Sequence, residues 1–448
     1  MRLRSKMLSF LNIYWIFTLF YYCFGKVRWN IPSYLLLVSY TLICYLFINL
    51  GYFSVKMKYP CLEVINYRYL KLKLFRRYKL LFRICCISMG IFQISWIFIF
   101  MGKFEIFDII NNLGSNYFLR LDLKFDEVNI IMKIRTLFWI VTYFVYPLGF
   151  FFYKNMNKKD KVLFLMVLLI DVFASLNMGV SKNIGDIIIL LIAVILLNDS
   201  IFFRKKFQKR EERKKVIMII IGVFILFLIF SIIQEKRFEH LGKYTMQIHC
   251  NPNFGTVREN SIVDVLLFYN DKLIYLVHSL CNYFSSSYTA LALSFDLPFK
   301  TTYGLGFSRA LMEYFEQYFG VVVKQNTYCQ QLEDVYGWLN GISWPTAFVW
   351  IANSVSLIGV PFVMFFLGRI WCKAEVSWKR DRKVIGLVVY CQLVIAFIYL
   401  PCNAQIVQSR SSFIATTFMF IIFFTRNINF NLKNVRRYKK IKKIDYDF

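Results

Sequence analysis

Long apolar runs, each about 20 residues and separated by short clusters of Lys and Arg, dominate this sequence. A helix needs about 20 mainly apolar residues to cross a bilayer, so the pattern predicts a polytopic membrane protein. Of the 448 residues 58% are hydrophobic, which exceeds the roughly 45–50% of an ordinary soluble chain. With 8 prolines and 19 glycines, the composition also argues against a collagenous or largely disordered chain.

About ten segments are long and apolar enough to be transmembrane helices, which predicts an all-α fold. Their cores are residues 8–24, 31–53, 81–101, 134–153, 162–180, 184–203, 216–233, 346–371, 384–401 and 411–425. The first run is rich in bulky aromatic residues and no small-x-small cleavage site follows it, so we expect a retained anchor.

The basic residues predict the orientation of these spans, because Lys and Arg in short loops are retained in the cytoplasm. Alternate loops and the two ends hold about 37 of the 55 Lys and Arg residues. Both termini are therefore expected in the cytoplasm. The predicted organisation is an N-terminal membrane bundle (1–233), a large periplasmic loop with amphipathic and short helices (234–344), C-terminal membrane helices (345–425) and a basic cytoplasmic tail (426–448).

The large loop differs from the other connections, since it is roughly 110 residues long and contains all three histidines of the chain. We expect a small external domain. Its amphipathic stretch 262–279, with Val265, Phe268 and Leu273 on one face, suits either a membrane surface or the helix bundle. Cys250, Cys281 and Cys329 lie on the oxidising side, where two of them could pair and one would stay free.

No motif for a nucleotide, a nicotinamide cofactor or catalytic zinc occurs in the chain. The cysteines show no metal-ligand spacing. We therefore expect no metal and no cofactor, and we look for chemistry in scattered residues of the outer face.

Basic residues on the outer face are the most informative, because they oppose the usual charge distribution. Lys182, Arg309, Arg410 and Arg135 are in this position. An arginine grips phosphate oxygens with a planar fork and a lysine supplies a point charge, so these four are candidates for binding a diphosphate. The alternative is contact with lipid headgroups, or for Lys182 an i,i+4 pair with Asp186.

Three residues are candidate general bases: His278, Asp296 and Glu333. The reference pKa of histidine lies near neutrality, although a structural histidine is the alternative interpretation of His278. Other acidic candidates are Asp171, Glu313, Glu316 and Asp334. Asp171 lies within the fifth predicted span, where a carboxylate is either functional or hydrogen-bonded between helices.

The segment from Ser285 to Ser308, SSSYTALALSFDLPFKTTYGLGFS, resembles a stretch in the large outer loop of bacterial O-antigen polymerases of the Wzy type. Three further pieces agree in order: Ser181-Lys182 opening a span, Trp344-Pro-Thr leading into Trp350-Ile-Ala-Asn353, and the turn from Leu400 to Gln405. The chain departs from the family at Lys182, where Arg is frequent, and at Ser287, Phe307 and Ala404.

This resemblance implies a polytopic glycosyltransferase of GT-C-like architecture in the bacterial inner membrane. Its donor and acceptor would be undecaprenyl-diphosphate-linked glycans, joined at the periplasmic face without a metal, and a chain-length regulator would be a possible partner. Nucleic acid is not an expected partner. The residues implied for glycan binding are Tyr288, Tyr303, Trp344, Asn403 and Gln405.

Two other functions stay open on the sequence. An O-antigen ligase uses the same donor with a lipid A-core acceptor, so only the acceptor separates it from a polymerase. A transporter or flippase of lipid-linked glycans would need polar groups through the depth of the membrane, and Asp171 is the one clear mid-membrane charge.

Overall fold

A computed structural model of the chain describes residues 5–57, 67–101, 113, 115–116, 130–199, 217, 221–222, 224, 228–236, 239–240, 250–339 and 343–425, and these residues are mostly helical. The helices, numbered along the chain, are α1 Lys6–Phe24, α2 Tyr34–Lys56, α3 Tyr67–Met101, α4 Ile130–Phe138, α5 Thr142–Phe152, α6 Lys158–Asn177, α7 Lys182–Asp199, α8 Ile262–Leu266, α9 Asp271–Ser285, α10 Tyr288–Ser294, α11 Arg309–Phe319, α12 Tyr328–Tyr336, α13 Ala347–Asp381, α14 Val384–Tyr399, α15 Gln405–Gln408 and α16 Arg410–Thr425. Short 3₁₀ turns occupy Trp139–Val141, Tyr153–Asn155 and Lys324–Asn326.

Hydroxyl side chains fix the starts of several apolar helices. The first backbone N–H groups of a helix have no partner within it, and a Ser or Thr oxygen at the preceding position satisfies one of them. Ser33 accepts a hydrogen bond from the Leu36 N–H at the start of α2, and Thr346 accepts from the Val349 N–H at the start of α13. Hydropathy and capping residues therefore agree on where these helices begin.

Five helices in the described part of the chain are long and apolar enough to cross a membrane: Lys6–Phe24, Tyr34–Lys56, Lys73–Phe98, Lys133–Asn155 and Ala347–Asp381. Val384–Tyr399 and Arg410–Thr425 are shorter apolar helices. The chain is thus a helical membrane protein. A helix lies at nine of the ten predicted cores, whereas the core 216–233 is only partly described and the basic stretches 204–215 and 426–448 lie outside the described residues. The number of ten spans stays a prediction.

The most extensive packing between two helices joins α2 to α13. Gly51 of α2 and Gly368 of α13 lie at this interface, where an added Cβ atom would meet the backbone carbonyl of Phe365 or of Ile48. Small residues let membrane helices approach closely enough for van der Waals packing, which is the main attraction between helices in lipid. Glycine is therefore required at both positions.

Helix α13 is interrupted near its start. Ser356 has φ 62° and ψ 167°, outside helical geometry, and Pro361 follows five residues later. Because a proline lacks an N–H, it leaves the carbonyl four residues earlier without its helical donor. That carbonyl belongs to Leu357, and the hydroxyl of Tyr40 on α2 donates to it at 2.7 Å. The break is thus stabilised by the neighbouring helix.

The region between residues 250 and 339 contains five short helices, α8 to α12. Residues of α10 and α12 belong to the same hydrophobic core as the membrane helices, and α10 packs against α2 and α13. The region is thus anchored on the bundle. It also contributes a strand: β2, Gly255–Val257, pairs antiparallel with β1, Val27–Trp29, which the all-α prediction did not include.

The cysteines of the described residues are free thiols. Cys329 is buried and accepts a hydrogen bond from Asn353, while Cys250 and Cys281 are half-buried at separate places. The disulfide that the sequence permits is therefore not formed.

Candidate functional site

The turn formed by residues 302–308 is fixed on helix α13 by Asn353. The Asn353 side chain accepts from the Tyr328 N–H at 2.8 Å and donates to the Gly306 carbonyl at 3.1 Å. The Thr302 hydroxyl donates to the Asn353 carbonyl at 2.6 Å. A Cβ atom at Gly306 would meet both Asn353 and Thr302, so only glycine permits this approach. Asn353 was not among the sequence-predicted site residues, and it holds the turn that precedes Arg309.

Ser308 ends this turn and is the capping residue that precedes helix α11. It is buried, its hydroxyl donates to the Val407 carbonyl at 2.5 Å, and it caps α11 by accepting from the Leu311 N–H at 3.3 Å. The backbone N–H of Arg309 donates to the Gln408 side chain. The start of α11 is therefore attached to the segment between α14 and α16.

The structure brings Arg309 and Arg410 together, although they are far apart in sequence. The Arg309 Nε lies 2.8 Å from one carboxylate oxygen of Glu313, and the Arg410 Nε lies 3.2 Å from the other. The Arg410 guanidinium also lies over the Tyr314 ring, 5.5 Å from its centroid. The two arginine side chains remain 52% and 43% exposed, so they are accessible from solvent.

Each of these arginines is also the first residue of its helix, α11 or α16. The N-terminus of a helix carries partial positive charge and free N–H groups, which makes it a suitable place for an anion. At these two helix starts the Arg309, Leu311 and Ser412 N–H groups donate to Gln408, Ser308 and Ser409, so the groups that converge on Glu313 are the two guanidinium groups. We call Arg309, Glu313 and Arg410 the arginine pair site.

Lys182, the third predicted cation, lies at a separate cleft. Its Nζ is 2.8 Å from the Asp186 carboxylate, as expected from their i,i+4 spacing. Lys182 and Ser181 line a shallow, partly open cleft of about 30 Å³, whose other walls are mainly apolar and aromatic. These walls are Gly185, Ile189, Phe230, Leu280, Tyr283, Phe284 and Tyr399.

Helix α16 and the turn before it connect the cleft to the arginine pair site. Tyr399 lines the cleft, and nine residues later Gln408 contacts Arg309. In the first turn of α16, the Ser412 carbonyl accepts from Tyr143, which lies within electrostatic range of Asp186. The cleft and the arginine pair site are therefore linked through the segment between α14 and α16.

Arg135, the fourth predicted cation, is half-buried between two tryptophans. Its guanidinium lies 4.1 Å from the Trp96 ring centroid and 4.7 Å from that of Trp139. Asp171 lies within electrostatic range of the Arg135 guanidinium.

Asp171 itself is buried and accepts hydrogen bonds from Gln93 at 2.5 Å and from Tyr146. The helix–helix hydrogen bond that the sequence suggested for Asp171 is thus present.

The three candidate bases are spread over the region 250–339. Asp296 is exposed just after α10, within electrostatic range of Tyr336, and Glu333 is half-buried on α12. His278 is buried, and its Nδ1 lies 2.9 Å from the Tyr21 hydroxyl. Burial, together with the nearby positive charge of Lys26, lowers the pKa of His278 to about 4. This environment favours the structural interpretation of His278. The carboxylate that meets the arginines is Glu313.

We expect acid to destabilise the protein through His278. Its pKa is about 4 in the folded chain against 6.5 for an ordinary histidine, so between these pH values the unfolded chain binds the extra proton. The contribution of His278 to the free energy of unfolding is fully present above pH 6.5. It falls by up to about 3 kcal/mol as the pH drops to 4. Thermal unfolding in detergent should show a steeper loss for the parent protein than for His278→Gln, and equal slopes would contradict the assignment.

The residues implied for glycan binding lie in different environments. Tyr303 is 78% exposed at the tip of the turn, and Trp344 and Gln405 are half-buried. Asn403 is buried and donates to Gln405. Tyr288 is completely buried, and its hydroxyl lies 2.5 Å from that of Tyr45, so the structure places it in the core and not on a surface that a glycan reaches.

Within the described ranges, no group of three or more His, Cys, Asp or Glu side chains is placed to hold a metal ion. Comparison of the chain with protein-family models, with curated proteins and with solved structures finds no match.

Proposed function

We propose that this protein is a bacterial inner-membrane glycosyltransferase that polymerises undecaprenyl-diphosphate-linked oligosaccharide units into O-antigen or a related surface polysaccharide. The observation that carries the proposal is the arginine pair site, where two exposed guanidinium groups at two helix N-termini share one carboxylate. The order of the motifs from Ser285 to Gln405 supports it. In the proposed topology, ten spans of GT-C-like arrangement keep both termini in the cytoplasm and residues 234–344 in the periplasm.

The charge of the arginine pair site suits a diphosphate. Arg309 and Arg410 carry two positive charges and Glu313 neutralises one of them, so the site keeps a net positive charge when it is empty. Exposed ion pairs contribute only about 0–1 kcal/mol, because water screens them. A diphosphate offers more oxygens and more charge than one carboxylate, so it can replace Glu313 at little cost. Its arrival would release the Glu313 carboxylate beside the substrate.

The cleft at Lys182 suits the lipid part of the same substrate. Its walls are mainly apolar and aromatic, while Lys182 supplies a cation at its edge. A polyprenyl chain with a diphosphate head has this combination of properties. With a volume of only about 30 Å³ the cleft would not enclose the lipid, so its apolar walls would contact the side of a polyprenyl chain, with Lys182 near the phosphate end.

The reaction needs negative charge to be stabilised on the leaving group. An acceptor hydroxyl attacks the anomeric carbon of the donor sugar, the bond from that carbon to the diphosphate oxygen breaks, and the diphosphate takes the bonding electron pair. Cations placed where this charge develops are typically the largest catalytic contribution. A carboxylate accepts the hydroxyl proton, and among the candidates Asp296, Glu333 and Glu313, the last lies beside the two arginines.

Deletion of the gene, followed by gel analysis of the surface polysaccharide, tests this function. We expect the ladder of repeat lengths to collapse to a lipid A-core species that carries a single repeat, and a plasmid copy to restore it. Loss of every attached repeat would favour the ligase or the flippase instead. An unchanged ladder would contradict all three functions.

A further inference from the structure

The connection between α8 and α9 presents an unusually apolar surface. Within residues 262–273, which we call the elbow, Phe268 is 90% exposed and Leu266 is 67% exposed. Four more large side chains of the elbow are also exposed: Ile262, Val265, Tyr269 and Leu273. Isolated exposed apolar residues are common on proteins, but a contiguous group of this kind marks a contact surface.

The backbone of the elbow holds these side chains outward. Phe268 and Tyr269 have φ values of 51° and 55°, which bulky residues rarely adopt. On the opposite side, Val263 and Ile274 are buried against Tyr21 of α1. The exposed side chains of the elbow are therefore held in place by residues of the elbow region that pack on α1.

Polar contacts fix the elbow at the end of α1. The buried carboxylate of Asp264 lies 2.8 Å from Lys26 Nζ and closes a capping box with Ser261. The Arg258 guanidinium donates to the Cys23 carbonyl at 2.9 Å. The elbow is thus attached to the last turn of a helix that is apolar and long enough to span the membrane.

The side of α1 next to the elbow also exposes large apolar side chains. Phe17, Phe20 and Phe24 are about half exposed along this helix, and Tyr21 between them packs on the elbow. The exposed apolar surface of the membrane helix therefore continues onto the elbow. This continuity identifies a lipid bilayer as the partner.

We propose that the elbow inserts Phe268, Leu266 and Val265 into the bilayer leaflet that surrounds the end of α1. Amphipathic segments of this kind lie about 5–10 Å below the headgroup boundary. The inserted elbow anchors the 250–339 region to the membrane at a second place, apart from its packing on α2 and α13. This proposal does not depend on the polymerase function.

Fluorescence quenching in proteoliposomes tests the insertion. The full-length variants Phe268→Cys and Glu259→Cys are labelled with an environment-sensitive dye, and the parent protein taken through the same labelling gives the background of native thiols. Glu259 is exposed in the same region but lies outside the elbow, so it is a matched control.

At position 268 we expect blue-shifted emission that falls about twofold when lipids carry a nitroxide near the headgroup end of the acyl chain, with little quenching by iodide. At position 259 we expect quenching by iodide alone. Iodide quenching at both positions would overturn the proposal. Blue-shifted emission at position 268 without quenching by the lipid nitroxide would also overturn it, because protein would then cover the elbow.

Discussion

Arg309→Ala and Arg410→Ala should each abolish visible polymer while leaving the abundance and membrane insertion of the protein unchanged. Removal of one preorganised charge donor to a developing anion costs about 10²–10³ in rate. Both side chains are substantially exposed, so little packing is lost on truncation. Arg→Lys at either position should restore part of the activity, because the charge stays but the planar fork is lost.

Two companion variants show whether the effect belongs to the arginine pair site. Arg369→Ala removes an arginine from the later part of α13, where the guanidinium lies over Phe365, and should leave the polymer unchanged. Glu313→Gln should strengthen binding of inorganic pyrophosphate, since the internal carboxylate no longer competes for the arginines. If Glu313 is also the base, the same variant should bind more tightly and turn over more slowly. Normal polymer from both alanine variants would refute the diphosphate site.

Gly368→Ala should strongly destabilise the protein, although it adds only one methyl group. The new methyl group would meet the Ile48 carbonyl, and a backbone atom cannot move aside as the end of a side chain can. Overpacking of this kind lowers the free energy of unfolding by about 1–3 kcal/mol. Gly51→Ala should have the same effect, because its methyl group would meet the Phe365 carbonyl. The melting temperature in detergent measures the loss.

Gly90→Ala is the matched control for these glycine variants. Gly90 also lies inside an apolar helix, but an added Cβ there would be 3.8 Å from the Val167 side chain, an ordinary contact. Its melting temperature in detergent should stay near that of the parent or rise slightly, because alanine favours helix. Equal melting temperatures for Gly90→Ala and Gly368→Ala would contradict the close approach of α2 and α13.

The helices were predictable because their signals are local. An apolar run and a capping hydroxyl lie within a few residues of each other, so α2 and α13 begin within a few residues of the predicted cores. Arg309 and Arg410 were selected from a different signal, their predicted position on an outer face where positive charge is disfavoured. Their shared contact with Glu313 was not predictable, because it depends on how α11 and α16 pack.

Two residues, Tyr288 and Asn353, carried a local signal that the choice of site residues did not use. Tyr288 was predicted to bind glycan, yet its helix YTALALS has no polar face, and this signal correctly indicates complete burial. Asn353 is a single amide inside an apolar run, where a polar group needs partners. That rule marks the residue as important. Only the fold identifies its partners as Gly306, Thr302 and Tyr328.

The interruption at Ser356 divides α13 into two parts with different contacts. The nine residues before it carry Asn353, which holds the turn that leads to Arg309, whereas the longer part after it carries Gly368 and its close contact with Ile48 of α2. Bilayers differ in thickness, and helices adjust to them by tilting. Because the regular helix is interrupted at Ser356, the direction of the part that carries Asn353 is not dictated by the tilt of the longer part.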